Sequence, residues 1–307
     1  MAKTEISKVK HEIFGNCVKI ANDIVELWVT VDFGPRIIHF SRIGKENIFY
    51  EDKGMSTLGK AFDVYGGEIT KLYGGHRLWI SPEITPRCYY PDTKPVEFRE
   101  TANGIEFIAP VEGINHIQKS VTIMLDDDKP TLVINHAIKN CGNWEIELAP
   151  WALTMMAAGA VEVIPMPVRE TGLLPNRNLV LWDYTAMNDP RVYWGKEYIT
   201  LRQDTSVARP FKLGFYNEAG WCAVFNKGQV FLKFFEPIAE RDYYPDEGCN
   251  FESYTNELML EAESLGAVEY LEPGEWANHV EEWALYEENE VPSNDETEIS
   301  RIIAKYI

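Results

Sequence analysis

The first residues in this chain able to do chemistry are carboxylates at alternate positions of NELMLEAES, namely Glu257, Glu261 and Glu263. The stretch Tyr254 to Glu263 reads as one strand, whose side chains alternate between two faces. Tyr254, Asn256, Leu258, Leu260 and Ala262 form a face that can pack, and Thr255, Glu257, Met259, Glu261 and Glu263 form the other. Aligned carboxylates repel one another and are costly to bury unpaired. That face is therefore either the wet side of an edge strand or one compensated by a cation, an arginine, a shared proton or a hydroxyl-rich ligand. A second candidate is GGHRLWISPE (74–83), which joins a Gly-Gly pair to His76, Arg77, Trp79 and Glu83. An imidazole, a fixed cation and an indole within four residues suit a polyhydroxylated ring, through stacking and forked hydrogen bonds. The plain alternative is a structural Arg-Glu pair with Trp79 in the core.

These groups must be positioned by strands. Val25, Leu27, Val29, Val31 and Phe33 alternate with polar residues before Gly34-Pro35-Arg36 turns the chain into IIHFSRIG, a hairpin in which Arg36 and His39 are expected to be structural. Residues 51–104 are rich in Gly and Pro and read as a long loop, a place where function often sits. Further short strands follow through KSVTIMLD, PTLVINHAIKN, WEIELAPW, YITLRQ, FKLGFYN, WCAVFN and QVFLKFFEP, with His136 on a packed face as a core histidine. Helix is expected only as a short turn at Leu153–Gly159 and in a tail of about 293–307. There Ser293-x-x-Glu296 has the order of a capping box, followed by Ile299, Ile302, Ile303 and Tyr306. The pattern predicts an all-β antiparallel sandwich, residues 1–307 forming a single domain.

Composition narrows the partners. With 48 acidic and 29 basic residues the net charge is −19, which disfavours nucleic acid and anionic membrane surfaces. No segment reaches the roughly 18 apolar residues of a membrane helix. The opening MAKTEISKVK has no secretory apolar stretch, so a cytoplasmic protein is expected. Five scattered cysteines, never in a CxxC pair, argue against a disulfide framework or a thiolate zinc site. No GxGxxG, Walker A, HExxH or GxSxG motif is present, so hydride transfer, NTP hydrolysis, zinc proteolysis and α/β-hydrolase chemistry are poor expectations.

Three stretches carry a resemblance: FGPRIIHFSRIGKENIFY (33–50), GGHRLWISPE (74–83) and ELMLEAESLGAVEYLEPGEWANHVEEWALY (257–286). Across about residues 10–290 the chain resembles the galactose mutarotase-like (aldose 1-epimerase) superfamily, in one of its poorly characterised outer branches. The resemblance implies a β-supersandwich with a sugar-binding cleft. In the family's active members a strand Glu takes the anomeric hydroxyl proton and a His donates to the ring oxygen. Carried over by motif, the base is Glu261, Arg77 contacts substrate, and His76 is the candidate acid. The family's central histidine falls in APWALTMM (149–156), where this chain has Trp151 instead. Lys212 is the second candidate for the acid if burial lowers its pKa, and Trp79 or Trp151 would stack on the ring. Glu257 and Glu263 are expected to raise the pKa of Glu261 toward that of a useful base.

Function is thus expected to be that of an aldose 1-epimerase or mutarotase, acting on a small carbohydrate without a cofactor, as a monomer or homodimer. Two alternatives stay open. One is a non-catalytic carbohydrate-binding protein on the same scaffold. The other is a lyase or hydrolase using an acidic cluster of Asp246, Glu252, Glu257 and Glu261, with or without a divalent cation.

Overall fold

Alternation of apolar and polar residues at period two runs through most of the chain, and in the computed structural model it produces strands packed as two antiparallel sheets. Residues 4–102, 104–238 and 240–307 are described. The first sheet, of eleven strands, runs Glu5–His11, Gly15–Ala21, Val25–Thr30, Ile37–Arg42, His76–Ser81, Ile146–Met156, Leu260–Leu265, Phe251–Thr255, Phe211–Phe215 and Leu179–Leu181. Glu269–Leu271 pairs with one end of Ile146–Met156. The second, of ten strands, carries Trp276–Glu287 beside Thr131–Asn140 and Gln229–Phe235. One apolar cluster fills the space between them, from Leu27 and Phe40 through Ile134 and Phe231 to Trp283. The expected all-β sandwich is what forms.

Four local expectations are corrected. GGHRLWISPE is not a loop: His76–Ser81 is a fully buried central strand. The Gly-Gly pair before it, at positive φ, lets two backbones approach, since a Cβ on Gly74 would lie 2.1 Å from the Tyr50 carbonyl oxygen and one on Gly75 2.3 Å from that of Ile37. Leu153–Gly159 is not a helical turn, because Ile146–Met156 is one long strand between two others. Tyr254 to Glu263 is a hairpin, not one strand. Asn256 makes the turn: its side-chain oxygen accepts from the backbone N–H of Leu258 at 2.8 Å and of Met259 at 3.2 Å. Glu257 therefore sits in the turn, half-buried, off the strand that carries Glu261. Finally, the tail helix is Glu296–Ile303 and its cap is Asp295, not Ser293. The Asp295 carboxylate accepts from Thr297 and Glu298 N–H, while Ser293 Oγ donates to Glu298.

Candidate active site

Strand register decides which side chains meet. His76 stands opposite Thr154, Arg77 opposite Leu153, and Trp79 opposite Trp151. Leu153 in turn faces Glu263, and Met155 faces Glu261. On the far side Glu252 faces Glu263 and Tyr254 faces Glu261, with Lys212 beside Tyr254. Period two then puts Arg77, Trp79, Trp151, Lys212, Tyr254, Glu261, Glu263 and Glu252 on one face of the first sheet. The opposite face looks into the sandwich, where His76 touches His136 of the second sheet. The site face is thus the one turned away from the second sheet.

A cleft of about 260 Å³ lies on this face, walled by Arg77, Trp79, Trp151, Lys212, Tyr254 and Glu261, with Glu83, Tyr89 and Tyr184 also lining it. Six of the residues singled out from sequence, Arg77, Trp79, Glu83, Trp151, Lys212 and Glu261, are brought together here. Two are not. Glu257 is on the turn, and His76 points through the sheet to the other side.

Charge is compensated within the face. Lys212 Nζ lies 2.6 Å from Glu252 and 3.2 Å from Glu263, and sits over the indoles of Trp151 and Trp182 at 4.7 and 4.6 Å. Burial alone would lower the Lys212 ammonium, but Glu252 and Glu263 outweigh it and hold its pKa well above the ordinary value. Lys212 is a fixed cation, which corrects its reading as an acid tuned downward. Trp151 donates its indole N–H to the same Glu263 oxygen at 2.8 Å. Where the resemblance expects an imidazole, this chain has an indole held in place.

Glu261 is different. Its Oε1 has no hydrogen-bond partner, and the nearest cation, Arg77 Nη2, stands 3.8 Å away. Burial, then repulsion from Glu263, raises its pKa to about 7 against the pull of Arg77 and Lys212. Arg77 is 5% exposed, stacked 3.8 Å over the Trp79 ring, with Nε and Nη1 lacking partners. The site therefore holds a poised base beside a preorganised fork of free donors.

His76 belongs to another network. Its Nδ1 pairs with Thr154 Oγ1 at 2.9 Å and its Nε2 with His136 Nε2 at 2.7 Å; His136 Nδ1 donates to the His279 carbonyl at 2.9 Å. Burial pushes the His76 imidazole well below its ordinary pKa. Both histidines are satisfied core residues, as expected for His136 and contrary to the expectation for His76. Among the described residues, His76, His136 and Glu281 are the metal-ligating groups within 4.8 Å of one another. Glu281 is already bonded by Lys233 at 2.8 Å, Ser264 at 2.5 Å and Trp283 at 2.8 Å, so hydrogen bonds account for all three. The acidic cluster does not converge as a cation cage either: Glu252 is engaged by Lys212, Asp246 accepts from Ser81 Oγ at 3.2 Å, and Glu257 is on the turn. Sequence reasoning passed over Tyr254 as a site residue; the signal was strand parity relative to Glu261, hidden by the unrecognised turn.

No family model matches this chain, and no curated protein matches its sequence. Solved structures do match. A TPR-domain containing protein from Parabacteroides distasonis aligns at TM-score 0.58 and 13% identity over 91% of this chain, which spans about half of that protein, 49%. A galactose mutarotase-like protein from Lactobacillus casei aligns at TM-score 0.54 and 9% identity, covering 88% of this chain and 100% of that one. One from Clostridium acetobutylicum aligns at TM-score 0.51 and 8% identity, covering 93% and 99%. Likeness at this identity speaks for architecture. Together with the two sheets and the cleft on the outer face of one of them, it assigns this chain the galactose mutarotase-like fold.

Proposed function

We propose that this protein holds a sugar in the cleft and moves protons at its anomeric centre, as an isomerase of the aldose 1-epimerase or mutarotase type. The observation that carries this reading is Glu261, a buried carboxyl in the cleft with one free oxygen and a pKa of about 7. Opening a cyclic aldose requires a base at the anomeric hydroxyl and an acid at the ring oxygen. Glu261 takes the first proton, and at neutral pH it is both substantially ionised and basic enough to do so. Arg77 donates to sugar hydroxyls through Nη2, which faces Glu261 without bonding it, its plane fixed by Trp79. Trp79 and Trp151 pack against the apolar parts of the ring.

Among the described residues no histidine lines the cleft. We assign the acid to Tyr254, the cross-strand neighbour of Glu261. Burial, with the charge of Glu261 adding to it, raises the phenol above its ordinary pKa, so it keeps its proton at neutral pH. It remains acidic enough to protonate an alkoxide developing at the ring oxygen. Polarimetry or exchange NMR on a panel of aldoses tests the assignment: anomer equilibration faster than buffer is expected, lost in Glu261→Gln and strongly reduced in Tyr254→Phe. A protein that accelerates no sugar in the panel would defeat it.

The position of His76 on the far face favours one second reading, a carbohydrate-binding protein without turnover. In that case affinity survives Glu261→Gln and is lost in Trp79→Ala.

A further inference from the structure

Behind Arg77 the structure has a second, smaller cavity that the reaction does not use. It is lined by Gly34 and Pro35, which precede the single pairing of Ile37 with His76, and by Arg77, Leu78 and Trp79, which follow it. Its volume is about 40 Å³, and Arg77 and Trp79 line both it and the cleft. A single water needs ~10–15 Å³, so the slot has room for a small substituent. Pro35, Leu78, Pro91, Pro110 and Val121 give it mostly apolar walls.

Two of its polar groups are unmatched. Arg77 has buried Nε and Nη1 donors without partners. Asp92 uses Oδ2 to hold Arg36, at 3.0 and 2.8 Å, while its buried Oδ1 has no partner. Of the other charged groups at the slot, Lys119 and Glu112 are closed at 2.7 Å, and Lys94 lies 3.8 Å from Glu68. The slot thus offers donors, one acceptor and an apolar end. An acylamino group supplies the complement: a carbonyl oxygen for Arg77, an amide N–H for Asp92, and a methyl for the proline and valine walls. A hydroxyl would leave the apolar end unfilled, and a carboxylate would face the bare Asp92 oxygen.

We propose that this slot receives the acyl substituent of an N-acylhexosamine whose ring lies in the main cleft. The inference rests on the sugar-binding reading above and names its substrate class. Calorimetric or ligand-observed NMR titration of the wild-type protein, with N-acetylglucosamine, N-acetylmannosamine and N-acetylgalactosamine each against its parent hexose, tests it. At least one N-acetyl sugar is expected to bind about tenfold or more tighter than its parent, as befits hydrogen bonds to charged groups. Ala109→Leu, at a partly exposed lining position outside the main cleft, is expected to erase that preference while leaving parent hexose binding unchanged. Equal affinities in the wild type, or a preference that persists in Ala109→Leu, would overturn the slot's role and leave the isomerase reading standing. Binding of neither kind of sugar would overturn both.

Discussion

Arg77 and Glu261 face each other across the cleft at 3.8 Å, close enough to attract and too far to hydrogen-bond. The gap leaves Glu261 Oε1 unpartnered, with Arg77 Nη2 facing it, so that a third group can meet both. Had the two closed into a bidentate pair, Glu261 would be held ionised at low pKa and would be a poor base.

From this follows a pH dependence. Glu261 must be ionised to accept a proton, so the anomerisation rate should rise with pH and level off above about 7, the value set by burial and Glu263. Glu261→Gln should remove that limb and lower the rate by about 10²–10⁴-fold. A flat profile between pH 5 and 8 in the wild type would assign the base elsewhere.

Glu263 does not line the cleft, but it lies two residues from Glu261 on the same face and anchors both Trp151 and Lys212. Glu263→Gln removes a negative charge and leaves Lys212 less compensated, and both changes favour ionised Glu261. The rising limb should therefore move to lower pH, and carbon NMR of the labelled carboxyl should show the same direction. A shift to higher pH would contradict the electrostatic role given to Glu263.

His76 is predicted to matter for stability and not for proton transfer. His76→Phe leaves Thr154 and His136 without their partner, at a cost of about 1–3 kcal/mol measured by denaturant unfolding. The pH profile of whatever folded enzyme remains should be unchanged. Loss of the alkaline plateau in that variant would return His76 to the mechanism.

The same burial predicts silent or low-titrating imidazoles. His76, His136 and His279 are all held below the ordinary histidine value, His279 at about 3. The ring resonances of His76 and His279 should not titrate between pH 8 and 5, and that of His136 should titrate below the midpoint near 6.5 of an exposed histidine. A midpoint near 6.5 in any of the three would mean that the space between the sheets is wet.

Much of this was legible in the residue order. Alternating Val, Leu and Ile specified strands, and strands that cannot bury two faces alone specified a sandwich. Arg77, Trp79, Trp151, Lys212, Glu83 and Glu261 were marked as site residues by their chemical types and by a family resemblance, and one cleft gathers all six. What sequence alone left open was which way neighbours point. Reading 74–83 as a loop put His76 and Arg77 together, and pairing with Ile146–Met156 separated them, because adjacent residues of a strand face opposite sides. Reading 254–263 as one strand put Glu257 in line with Glu261 and sent Tyr254 to the other face. The Asn256 turn reversed both placements, since inserting a turn changes strand parity beyond it. Composition and period are local properties and were fixed by the chain itself. The pairing of strands far apart in sequence, and with it the choice of which carboxylate stands near a cation and which lies free, was decided only when the sheets assembled.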